Sequence, residues 1–116
     1  MVSTNFTSNY PNFRPGSPTL LSTPERTGAL PDFTGKGITI AFIDSGFYPH
    51  PDLEGRILVH ADASSNHIVE QVTDFNTNDL SWHGQMTSVI ACGDGRVSNG
   101  KYRGIASGAN LVLVKV

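Results

Sequence analysis

Cysteine occurs once, at Cys92, so no internal disulfide can form and the class of small secreted domains stapled by disulfides is excluded. Charge is also scarce: 8 basic side chains stand against 10 acidic ones, a formal net charge of -2. The chain therefore lacks the basic excess that a nucleic-acid partner or an anionic membrane surface would require. No apolar run approaches the roughly 18 residues needed to span a bilayer. Met1 to Tyr10 has neither the basic nor the apolar stretch of a signal peptide. These absences leave an extracellular and an intracellular location both open. With 116 residues and no internal repeat, the chain is expected to hold one domain at most.

What is present is unevenly spread. Five of the seven prolines, and 19 Ser, Thr, Asn, Pro or Gly residues, fall within the first 31 positions. That composition reads as an arm or linker, placed at residues 1–34, ahead of a folded part at 35–116. Thr23-Pro24-Glu25-Arg26 predicts a short helical turn, with Thr23 as N-cap and Pro at the first helical position. Asn5-Phe6-Thr7 fits a glycosylation sequon, which has meaning only in a eukaryotic secretory setting.

From Gly37 to Ile43 a nearly continuous, β-branched apolar run predicts a strand buried on both faces, and hence a parallel sheet covered by helices. Arg56 to Ala61 predicts a second strand. Residues 62–79 read as a polar connection with a short strand around Ile68 to Val72. Met86, Val89 and Ile90 stand at i, i+3 and i+4 of a helix running from His83, stopped by Gly93-Asp94-Gly95. Arg96 to Gly104 reads as a loop, and Leu111 to Val116 as another parallel-type strand with an open edge.

Two residues could carry chemistry together. Asp44 directly follows the first strand, at the carboxyl edge where open α/β sheets collect ligands and catalysts, although an Asp there can equally cap the next turn. His83 sits at the first helical turn beside Gly84, which admits a close backbone neighbour. As a pair they form a carboxylate that orients an imidazole base. His50 with Asp52, and His60 with Asp62, repeat a two-residue spacing that a metal could use, but such pairs are more often loop and strand-edge polar groups. Cys92 reads as a small buried hydrophobe, and His67 carries no signal.

Gly35-Lys36-Gly37-Ile38-Thr39-Ile40-Ala41-Phe42-Ile43-Asp44-Ser45-Gly46, followed by His50-Pro51-Asp52-Leu53, closely resembles the aspartate segment of the subtilases, the subtilisin-like serine proteases. His83-Gly84 and its helix resemble their histidine segment, and Gly104 to Val116 the stretch leading into the next core strand. The order Asp before His is also theirs. The resemblance implies the N-terminal part of a subtilisin-like α/β fold, a parallel sheet flanked by helices. It implies that Asp44 orients His83 and that His83 is the general base of peptide-bond hydrolysis, with a peptide or protein as substrate and no cofactor required. Asp52 matches a position that in many subtilases serves a structural calcium. The remaining oxygens would have to come from the arm and from Asp94, Ser98 and Asn99.

The sequence departs from the family in three places. Gln85 replaces the Thr of His-Gly-Thr, and Val89 falls where small residues are usual, which is expected to alter how the helix packs. None of the eleven serines lies in the nucleophile segment of the family: Ser45 reads as a turn residue and Ser88 as a helix residue. The expectation is a serine endopeptidase whose nucleophile lies outside this chain, in a missing C-terminal part of the catalytic domain, so that the 116 residues alone are inactive. The alternatives are a non-catalytic subtilase remnant that binds a partner through the edge of Leu111 to Val116, and an unrelated doubly wound domain using Asp44 for a metal or phosphate, which would need further carboxylates at the strand ends.

Overall fold

The computed structural model describes residues 21–72 and 80–116, so the sequon at Asn5 and the outer arm lie outside the described residues. Three parallel strands, β1 (Thr39–Asp44), β2 (Ile57–Asp62) and β3 (Asn110–Lys115), form one sheet in the order β1-β3-β2. The register sets Ile40 beside Leu111, Phe42 beside Leu113, and Leu113 beside His60. Side chains alternate across a strand, so these rows share one face. That face is the core: Leu111 and Leu113 are buried, and Ile40, Phe42 and Ile57 pack against them.

The opposite face differs from expectation. Thr39, Ala41 and Ile43 are exposed, Ile43 by 69%, so among the described residues β1 is covered on one face. Among the described residues the long helix lies against the core face only. The last strand also departs from its reading as an open edge: β3 is the middle strand, hydrogen-bonded to β1 on one side and β2 on the other. An unbroken apolar run suits a central position, where both edges of the backbone are paired. A partner docking on the edge of β3 is therefore ruled out by its neighbours. The short strand expected at Ile68 to Val72 reduces to one antiparallel bridge between Asp62 and Val69.

Two helices are described, α1 (Thr23–Thr27) and α2 (Ser81–Cys92). Helix α2 starts two residues before His83 and buries Ser81, Gly84, Ser88 and Cys92. This is a helical stripe, but of small residues. Of the predicted apolar face only Val89 is partly buried against the core; Met86 and Ile90 stay 42% and 54% exposed. Close approach explains the inversion: a Cβ at Gly84 would collide with the Gly46 carbonyl oxygen and the Phe47 ring. The buried Ser88 hydroxyl is satisfied by donating to the Gly84 carbonyl at 2.7 Å. Gly93 does end α2, but with φ −56. Glycine is required there for space, because a Cβ would meet the Val89 carbonyl oxygen at 2.6 Å.

Helix α1 is capped by Ser22, not Thr23. Ser22 is extended, its hydroxyl accepts from the Glu25 amide, and its own amide donates to Glu25 Oε2 at 2.8 Å, a reciprocal capping box. Arg56, which the sequence marks only as the start of a strand, joins three elements. Its guanidinium donates to the carbonyls of Ala109 at 2.8 Å and of Asp52 and Cys92 at 2.6 Å. Here a charge-assisted donor satisfies one of the carbonyls that a helix end leaves over. The predicted loop at Arg96 contains a 3₁₀ turn, Arg96–Ser98.

Candidate active site

Strand β1 ends on Asp44 with its side chain on the core face, towards α2. The next residue holds it: the Ser45 amide donates to Asp44 Oδ1 at 2.7 Å, and the Ser45 hydroxyl lies 3.1 Å from the same oxygen. That hydroxyl is also 3.0 Å from the Leu80 carbonyl, so it links the end of β1 to the residue preceding α2. From the first turn of α2, His83 sets Nδ1 at 2.8 Å from Asp44 Oδ1 and 3.0 Å from Oδ2. One turn further on, Thr87 Oγ1 lies 3.0 Å from the Gly84 carbonyl and 3.4 Å from Asp44 Oδ2. The sequence held the signal for Asp44 and His83. It held none for Thr87, whose position beside the carboxylate follows only from the helix packing.

The Asp44 side chain is mostly buried and that of His83 is 47% exposed. Burial pushes the Asp44 carboxyl up. The Ser45 amide, the His83 contact and the Ser45 hydroxyl outweigh it, holding the group below its ordinary value. An ionised carboxylate against Nδ1 selects the tautomer with hydrogen on Nδ1, which leaves Nε2 as the basic nitrogen on the open side of the ring. The arrangement can hold an imidazole in one orientation and stabilise the imidazolium formed when it takes a proton.

The subtilase family profile matches residues 35–116, the stretch that contains both side chains. The chain belongs to the subtilase family. It is 47% identical over 83 residues to serine protease AprX of Bacillus subtilis (strain 168), an alignment covering 72% of this chain and 17% of that protein. The chain thus spans about a sixth of the length of this curated relative. Among solved structures, the CspB protease of Clostridium perfringens superposes with a TM-score of 0.60 at 24% identity, over 82% of this chain and 23% of that one. This likeness supports the fold: the three-stranded parallel sheet with its helices is an incomplete subtilisin-like α/β arrangement.

The remaining candidates of this subtilase segment lie apart from the Asp44–His83 pair. Asp52 packs beside Gly93 at the far end of α2, about 15 Å along the helix axis from His83. It is buried, and its Oδ1 accepts from the Val97 amide at 2.9 Å. Asp94 is paired with Arg96 at 3.2 Å, and Ser98 is engaged with the Gly95 carbonyl and the Tyr102 amide. Asp52 Oδ1, Asp94 and Ser98 are thus engaged by the protein's own backbone and by Arg96. Among the described residues no three His, Cys, Asp or Glu side chains gather as a metal-holding group. Any contribution from the outer arm lies outside the described residues.

His50 caps the 3₁₀ turn Pro51–Leu53 by accepting from the Asp52 amide. His60 is buried, edge-on to Phe47, and burial holds it below its ordinary value. Cys92 is fully buried and its thiol is pushed up by burial, against the pull of Arg56. Of the two family departures on α2, Val89 is absorbed into the core margin. Gln85 contributes its carbonyl, 3.0 Å from the Ser88 hydroxyl. Among the described residues no helix is long and apolar enough to cross a membrane.

Proposed function

We propose that this chain carries the orienting and proton-transfer half of a serine endopeptidase, and that the nucleophilic serine comes from a segment outside these 116 residues. The observation that carries the reading is the approach of both Asp44 oxygens to His83 Nδ1 within a matched subtilase segment. In the reaction, His83 Nε2 takes the proton from the serine hydroxyl as its oxygen attacks the scissile carbonyl carbon. The imidazolium then returns that proton to the leaving amine, while Asp44 stays ionised and stabilises the charge. Water repeats the sequence on the acyl-enzyme. The substrate is a peptide or protein, and no metal takes part in a step.

Within the chain, the Ser45 hydroxyl is spent on Asp44 and Leu80 and the Ser88 hydroxyl on α2 carbonyls. Loss of a triad serine costs on the order of 10⁶ in kcat, so the isolated 116 residues should show no turnover above background. Two measurements test the reading. The locus and its transcript should continue in frame past Val116 into a serine segment; a stop codon there with no such segment would sink it. The product of the intact locus should react with a fluorophosphonate, and His83→Ala should abolish labelling. Undiminished labelling of the variant would equally overturn the role of His83.

A further inference from the structure

We propose that Trp82 forms part of the substrate cleft wall beside His83 and selects peptides with a bulky apolar side chain next to the scissile bond. The inference rests on the role of Asp44 and His83 given above. Trp82 lies in the first turn of α2, with its ring centroid 5.5 Å from the imidazole and the two planes at 72°. It is 51% exposed, and the His83 side chain is 47% exposed. A scissile bond must come within hydrogen-bond reach of Nε2, roughly 3 Å. The side chain flanking that bond then arrives within contact range of the indole.

Of the other exposed apolar residues of α2, Ile90 lies about 10 Å along the axis from His83, away from the reacting atoms. Met86 is nearer, about 4.5 Å along the axis, but offers a flexible chain in place of a flat ring held against the imidazole. The edge-to-face contact with His83 fixes one side of the indole, and about half of the residue is open to solvent. A flat aromatic surface held in place can cover an apolar side chain at little entropic cost. It offers a glycine almost nothing. Because the contact is made where charge moves, it aligns the scissile bond as well as adding affinity.

Emission from the product of the intact locus, less that of its Trp82→Phe variant, reads Trp82. Blocked peptides that differ only by Phe or Gly at the positions flanking the bond are the probes. The Phe peptide should blue-shift the emission at a concentration at least about tenfold below that needed with the Gly peptide. In the product of the intact locus, Trp82→Ala should lower the Phe-to-Gly ratio of kcat/KM by about tenfold, and Trp82→Phe should retain most of it. Equal emission responses together with an unchanged ratio overturn the inference. Turnover with a flat ratio refutes the role of Trp82 and leaves hydrolysis standing. A Phe-selective emission response without turnover supports the role of Trp82 in peptide binding and refutes the proposed hydrolysis.

Discussion

Asp44 and Asp62 end the two strands that flank β3, and the register sets both opposite Lys115. Each carboxylate accepts from a serine just downstream, through amide and hydroxyl: Ser45 for Asp44 and Ser64 for Asp62. Each carboxyl is held below its ordinary value, Asp44 against the opposing effect of burial and Asp62 chiefly by the Ser64 hydroxyl. They differ in the partner that completes them. Asp62 meets Lys115 at 3.5 Å, whereas Asp44 meets an imidazole. A depressed, serine-braced aspartate at the carboxyl edge of a parallel strand is therefore not by itself a catalytic signature. The placement of α2, close enough to set an imidazole against the Asp44 carboxylate, separates the two ends.

The largest effect that could break this comparison comes from removing each charge in the product of the intact locus. Asp44→Asn should lower kcat by about 10⁴, because an amide no longer selects the productive tautomer; Asp62→Asn should stay within about threefold. Equal losses in a peptide hydrolysis assay would erase the distinction. Next is Gly84→Ala, which pushes a methyl into the Gly46 carbonyl and Phe47 and has no counterpart near Asp62. It should destabilise the fold by about 3 kcal/mol in urea unfolding. Gly100→Ala, at φ +81 with open space around it, should cost about 1 kcal/mol.

Acid sharpens the comparison further. Asp44 and Asp62 are both lowered from an ordinary value of 3.8. Each therefore contributes stability that is complete above that value and is lost as pH falls through the folded-state value. His60 adds a second window on the Asp62 side only. Burial lowers it from 6.5, outweighing the pull of Asp62, while Lys115 lowers it further. Its stability contribution is complete above 6.5 and declines on acidification below that, as the unfolded chain takes up the proton first. Unfolding midpoints measured from pH 7 to 4 should fall less steeply in His60→Gln than in the parent, and an unchanged slope would refute this. The smallest effect is expected from Ser45→Ala, which removes one of several donors to Asp44 and should lower kcat roughly threefold. Ser64→Ala should leave kcat unchanged.

Much of this was legible in the sequence because it depended on local pattern. The apolar run before Asp44 and the glycine next to His83 each carry their meaning within a few residues, and the Asp-then-His order is read from chain order alone. Partner identity across the fold was less legible. The buried face of α2 escapes a hydrophobic-periodicity reading because close packing on Gly46 and Phe47 demands small residues, and Ser81, Gly84 and Ser88 do not look like a core. Thr23 resembles a cap as well as Ser22 does, and only Glu25, three residues after Ser22, decides between them. Arg56 announces nothing in sequence, since its three acceptors are backbone carbonyls. Strand order is silent too: an apolar run that reads as an open edge serves equally well in the middle of a sheet.

The order β1-β3-β2 has a consequence during synthesis. Neither β1 nor β2 hydrogen-bonds to the other, so both must wait for β3, which follows the end of β2 by roughly fifty residues. At about 5–20 residues per second, the nascent chain spends several seconds with two apolar strands made and neither paired along the side that will face β3. Throughout that interval those sides are open to chaperones or to other chains, and Asp44 has no sheet to hold it in register. Translation of β3 thus converts a sticky intermediate into a frame for the Asp44–His83 pair.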